Sequence, residues 1–92
     1  MALTSMEKRM IEIQWGAPVF LRRPHEWEIE KFSTIEKARY WLYRKWPTAD
    51  TAQRDALAEI EAAMDCLKPV ESARTAFIAA ALSAGFLPAV AS

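Results

Sequence analysis

The sequence predicts an α+β fold: a small antiparallel hairpin or sheet of two or three strands, then three packed helices, with a short C-terminal strand as an optional last element. Two observations carry this. Apolar residues alternate with period two up to about Phe32 and recur at helical spacings of three and four from Ser33 onward. Prolines and a glycine punctuate the second half at the intervals expected between short helices, at Pro47, Pro69 and Gly85. Strands followed by a run of helices belong to the class in which helices cover one face of an antiparallel sheet.

In "VFLRR", Val19 and Leu21 fall on one face, with Phe20 and Arg22 on the other. In "EWEIEKF", Trp27 and Ile29 fall on one face and Glu26, Glu28 and Glu30 opposite. Pro24 cannot donate to a strand ladder, so a turn is expected around Arg23-Pro24-His25. The resulting hairpin is expected to bury Val19, Leu21, Trp27 and Ile29, and to set Arg22 against Glu26 or Glu28 as a cross-strand ion pair. "MIEIQW" also alternates, either as a separate strand or as an extension of the first, with Gly16 as a bulge or bend. "STIE" matches a capping box, Ser33 capping the amide of Glu36. The first helix then shows Ile35, Ala38, Trp41 or Leu42, and Trp46 on one side and stops before Pro47. A second helix is expected from near Thr48 or Asp50 to Lys68-Pro69, and a third from Val70 to Ala84, closed by Gly85. The predicted core is Val19, Leu21, Trp27, Ile29, Ile35, Trp41, Leu42, Trp46, Leu57, Ile60, Met64, Phe77 and Ile78.

Residues 1–10 read as a flexible N-terminal segment and residues 11–92 as a single α+β domain, a size that supports one modest core. The 12 basic and 12 acidic residues balance, which favours neither a nucleic-acid nor a membrane partner for the chain as a whole. The halves differ: residues 1–46 hold nine basic and six acidic residues, and residues 47–92 hold three and six. Cys66 is the one cysteine, so no internal disulfide can form, which fits a reducing compartment. "MALTSMEKRMIEI" lacks the apolar centre of a secretory signal, and the longest apolar run, "AFIAAAL", is too short to span a bilayer. The expectation is a cytoplasmic protein.

The ordered set "APVFL", "STIEKARYWLYRKWP", an alanine-rich helix and "ESARTAFIAAALSAG" resembles domain-of-unknown-function family 982, a group of short bacterial proteins. The family pattern of a Pro-Val strand, an Ala-x-x-x-Leu helix closed by Trp-Pro and an Ala-Arg-x-Ala-Phe helix falls on Pro18-Val19, on Ala38 and Leu42 with Trp46-Pro47, and on Ala73-Arg74 with Ala76-Phe77. The resemblance covers about residues 15 to 86. It implies a small α+β domain and no established activity. It places the family's middle-helix cysteine at Ile60, so it implies no thiol role for Cys66.

No glycine-rich phosphate loop, no Cys/His metal set and no nucleophile–histidine–acid arrangement can be built from these residues, so no catalytic residue, cofactor or metal is expected. Carboxylates at Glu26, Glu28 and Glu30 on one strand would stand about 6.5–7 Å apart without converging as a hard cation requires. His25 is expected in an exposed turn, and Cys66 as an inert, half-buried thiol near a helix C-terminus, where the dipole raises a thiol pKa. Trp41 and Trp46 share the apolar stripe and are expected inside. Tyr40 and Tyr43 lie off it, beside Arg39 and Arg44. The expected function is a non-catalytic interaction module binding an unknown protein or itself as a homodimer, through Phe20 and Arg22 on the hairpin's outer face or through Arg39, Tyr40, Tyr43 and Arg44. Two alternatives are weak nucleic-acid binding through Arg22, Arg23, Arg39, Arg44 and Lys45, and an anion or small-molecule pocket at Arg74. For Arg74 the simpler expectation is an ion pair with Glu71 or Asp65 that ties two helices.

Overall fold

The computed structural model describes residues 13–89. The expected N-terminal segment, residues 11 and 12, and residues 90–92 lie outside them. Strand β1 (Gln14–Arg22) pairs antiparallel with β2 (Ile29–Thr34) and with the two-residue β3 (Leu87–Pro88), in the order β2-β1-β3. Helices α1 (Ile35–Arg44), α2 (Thr51–Met64) and α3 (Val70–Ser83) complete the α+β arrangement. α1 packs on β2, α3 on β1, and α2 lies against α3 and α1. "MIEIQW" thus extends the first strand from Gln14 onward. Gly16, at φ +99°, sits where five steps along β1 are matched by two along β2, from Gln14↔Thr34 to Val19↔Phe32. That irregularity lets Trp15 turn fully inward and donate its indole N–H to the Phe32 carbonyl at 3.0 Å.

The hairpin turn falls as expected, with Glu26 N–H donating to the Arg23 carbonyl at 3.1 Å across Pro24. The second strand does not. It starts at Ile29, three residues later than the alternation suggested, and Phe32 is its buried core residue. Trp27 is 93% exposed and Ile29 46% exposed, so neither belongs to the core. Glu30 pairs with the buried Leu21 and therefore looks to the helix side of the sheet, not outward. Arg22 makes no cross-strand ion pair; its guanidinium donates to the carbonyl of Glu26 at 3.3 Å, and Arg23 takes the Glu26 carboxylate at 3.6 Å.

β2 runs into α1 without a loop, and this moves the cap by one residue. Thr34, still paired with Gln14, accepts from Lys37 N–H at 3.3 Å in place of Ser33, and Glu36 accepts from the Ile13 amide at 3.0 Å. Asp50 caps α2 by accepting from Gln53 N–H at 2.9 Å, while Gln53 donates its side-chain amide to the Leu42 carbonyl at 2.8 Å, joining the end of α1 to the start of α2. Both later helices end in the same left-handed closure. Gly85, at φ +94°, follows α3, and Phe86 N–H returns to the Ala81 carbonyl at 3.0 Å. Cys66, at φ +60°, follows α2, and Leu67 N–H returns to the Ala62 carbonyl at 2.8 Å.

Six aromatic rings hold the layers together. Phe77 meets Trp15, Phe32 and Trp46 at centroid distances of 5.2, 4.9 and 5.4 Å. Phe32 meets Trp41 edge-on at 5.2 Å, and Phe86 lies 6.3 Å from Trp41 and 4.9 Å from Trp46. Phe77, Phe32, Trp41, Phe86 and Trp46 thus close a circuit to which Trp15 is attached. Trp41 is buried, as the helical stripe predicts; α1 ends at Arg44, two residues earlier than expected, so Trp46 lies beyond the helix and packs half-buried against this cluster. Leu57, Met64 and Ile78 pack on the core only in part; α2 contributes Ala56, Ile60 and Ala63 as its fully inward side chains.

Candidate interaction surfaces and a charged cleft

Because successive strand residues point to opposite sides, the face of the sheet away from the helices carries Phe20 and Arg22 from β1, Ile29 and Lys31 from β2, and Leu87 from β3. Arg22 stands between Ile29 and Leu87, and Phe20 stands beside Lys31. Phe20 and Arg22 are half-buried, and Leu87 is 37% exposed. Trp27, which precedes β2 in the same parity, adds an almost bare indole at the border. The charges on this face are cationic. Sequence alternation points to Phe20 and Arg22 but not to Trp27, Ile29 and Leu87, because it places the first two in the core and the third depends on β3 pairing with β1.

The edges of this sheet are guarded. Phe20 turns its carbonyl to β3, where Ala89 N–H donates to it at 2.8 Å, so Lys31 opposite it turns its own carbonyl outward. The Lys37 ammonium takes that carbonyl at 2.7 Å while holding Glu30 at 3.0 Å. On the other edge Arg74 donates its Nε–H to the Ala17 carbonyl at 2.8 Å. Arg74 forms no ion pair with Glu71 or Asp65; it ties α3 to β1, not one helix to another, and lines none of the cavities described below. Cationic side chains lying across free strand edges oppose pairing with a further strand.

Arg39, Tyr40, Tyr43 and Arg44 do come together, with Glu36, around a shallow depression of about 510 Å³ on α1. Much of its polar capacity is spent internally. Tyr43 donates its hydroxyl to Glu61 at 2.9 Å, Arg39 lies 3.6 Å from the same carboxylate, and the Arg39 guanidinium sits 5.1 Å from the Tyr43 ring centre. The hydrogen bond to Glu61, reinforced by its negative charge, raises the Tyr43 pKa. These residues fasten α1 to α2.

A third feature lies at the turn end of the sheet. Arg23 and Lys45 converge there over Trp41: the guanidinium is 5.5 Å and the ammonium 5.1 Å from the indole ring. Arg23 also lies 5.9 Å from the Phe86 ring and donates to the Lys45 carbonyl at 3.3 Å. Glu26, Glu28 and Glu30 line the same cleft, which has a volume of about 210 Å³. Glu30 looks to the helix side from β2, and Glu26 and Glu28, which precede the strand, join it around the cleft beside Trp41 of α1. Of the five basic residues named for nucleic-acid binding, Arg23 and Lys45 meet here, Arg39 and Arg44 lie on α1, and Arg22 is on the sheet face.

His25 is exposed in the turn, as expected, and Cys66 is exposed rather than half-buried, because the left-handed turn after α2 carries it off the helix. Among the described residues, no three His, Cys, Asp or Glu side chains are grouped as metal ligands, and no helix is long and apolar enough to cross a membrane. A family model described as protein of unknown function (DUF982) matches residues 17–88. No curated protein and no solved structure matches the chain.

Proposed function

The chain belongs to the DUF982 family, whose function is unknown, and on that premise we propose that it is a non-catalytic interaction module that docks a protein partner through the open face of its sheet. The observation that supports this reading is that Ile29 and Leu87 stand exposed on one sheet face with the half-buried Phe20, beside the 93% exposed Trp27. Large apolar side chains grouped on one face are costly to leave in water unless something covers them. Arg22 and Lys31, with no carboxylate on the same face among the described residues, favour a partner whose apolar patch is bordered by acidic groups. A second copy stacked face to face would set these cations against their own kind. A homodimer would therefore use the face head to tail, against the α2–α3 side, where Asp55 and Glu71 stand beside the Lys68–Glu59 ion pair. A bacterial cytoplasm suits this reading, since the single thiol needs no oxidising compartment.

The test is site-specific photo-crosslinking in cells from a probe at Trp27, with Ile29→Glu as control and light scattering on the purified chain over a wide concentration range. One discrete crosslinked protein, or a concentration-dependent dimer, lost in Ile29→Glu supports docking. A monomer at every concentration that yields no crosslink sinks it. Crosslinks to nucleic acid, with oligonucleotide binding that weakens steeply with salt, would transfer the face to single-stranded nucleic acid.

A further inference from the structure

We propose that the cleft between the hairpin turn and the end of α1 binds a small zwitterion of the α-amino-acid class, independently of the sheet face. The charge inventory of the cleft carries the argument. Two of its carboxylates have cationic partners: Glu26 with Arg23 at 3.6 Å and Glu30 with Lys37 at 3.0 Å. Two groups remain without one among the described residues. The Glu28 carboxylate and the Lys45 ammonium both line the cleft, and neither has an opposite charge within 4.0 Å. The Arg23 Nε–H is buried and has no acceptor, and its two other contacts, at 3.3 and 3.6 Å, are long for a guanidinium. The side chain is nonetheless 40% exposed, so its terminal N–H groups can turn to an incoming oxygen.

A ligand that completes this site needs a carboxylate for Lys45 and Arg23 and an ammonium for Glu28, above the Trp41 and Phe86 rings that Arg23 and Lys45 already cover. A simple anion would leave Glu28 unmatched and would meet two further carboxylates; a simple cation would leave Lys45 and the Arg23 donor unmatched. The volume of about 210 Å³ is below the range of about 300–1,000 Å³ common for drug-sized ligands, which restricts the site to something of amino-acid size. An adjoining hollow of about 380 Å³ shares Arg23, Glu26, Lys45 and Phe86 and would admit one further residue, so a dipeptide also fits.

The experiment is calorimetric titration of the full chain with L-leucine, L-phenylalanine and Leu-Leu at near-neutral pH, beside N-acetyl-L-leucine (no ammonium) and L-leucinamide (no carboxylate). Amide chemical shifts at Arg23, Glu28, Lys45 and Phe86 locate the binding. Lys45→Gln and Glu28→Gln change exposed side chains, and their fold is checked by circular dichroism. At least one zwitterion is expected to bind and to move those four amides. Each blocked analogue and each variant is expected to lose about tenfold or more, the size of one charge-assisted hydrogen bond. No binding by any of the three zwitterions overturns the proposal. So does equal affinity for leucine and N-acetyl-leucine, or unchanged affinity in both folded variants. Because the probes, the variants and the shifted amides all lie in the cleft, failure here leaves the sheet-face reading standing, and the crosslinking result does not bear on the cleft.

Discussion

Cys66 holds a backbone φ of +60°, a region where a side chain costs roughly 1–2 kcal/mol and glycine costs nothing comparable. Gly85 takes the equivalent place after α3. Cys66→Gly is therefore expected to stabilise the protein by about 1 kcal/mol, and Gly85→Ala to destabilise it by a similar amount, both read as shifts in the urea unfolding midpoint at unchanged slope. No atom lies within 4 Å of a methyl added at Gly85, so backbone strain alone would be measured. Two ionisable residues give stability a pH dependence. Asp50 accepts from the Ser83 hydroxyl at 2.7 Å and from Gln53 N–H, which lowers its pKa. Its contribution is present above the unfolded-state carboxyl pKa and is lost as pH falls through the folded value. Ser83→Ala is expected to flatten the acid limb of a stability-against-pH curve. Tyr43 has the opposite sign: its raised pKa gives a contribution present below the unfolded value and lost as pH rises through the folded one, so Tyr43→Phe should flatten the alkaline limb.

The elements show where a sequence reading succeeds and where it slips. α1 and α2 end earlier than read, at Arg44 and Met64, since the left-handed turn at Cys66 has no glycine to announce it, but the start of α2 and both ends of α3 were legible because local chemistry sets them: Asp50 caps, Pro69 precedes Val70, and Gly85 closes. The phase of β2 was not. Alternation sorts Trp27, Ile29 and Lys31 from Glu28, Glu30 and Phe32, but which set goes inward depends on where the strand starts, and a start at Ile29 makes Phe32 the inward anchor against Val19. The same slip hid most of the candidate surface, since two residues assigned to the core stand on the open face. The cleft was hidden for another reason: Arg23, Lys45 and Phe86 are far apart in the chain, and only the packed fold brings them over Trp41. At this scale Thr34→Ala is expected to cost about 1 kcal/mol through the lost cap of α1. Arg74→Ala frees the Ala17 carbonyl, and hydrogen exchange should show faster exchange along β1 from Gln14 to Val19 with little change in α2.

For the whole molecule the aromatic circuit decides stability. Phe77 touches three other rings and is fully buried, so Phe77→Ala is expected to cost about 3–5 kcal/mol, a large part of what a domain of this size commands; denaturant unfolding measures it. The circuit also has an order in time. Its members come from β2, α1, α3 and the segments that follow the two helices, with Trp15 of β1 attached, and it closes only with Phe86, which reaches the others because Gly85 reverses the chain. A polypeptide growing from its first residue therefore keeps Trp41 and Trp46 without the Phe86 side of their shelter until that residue has been made. A chain cut back before Gly85 would be a sticky, protease-sensitive species, and one that includes Phe86 a resistant one.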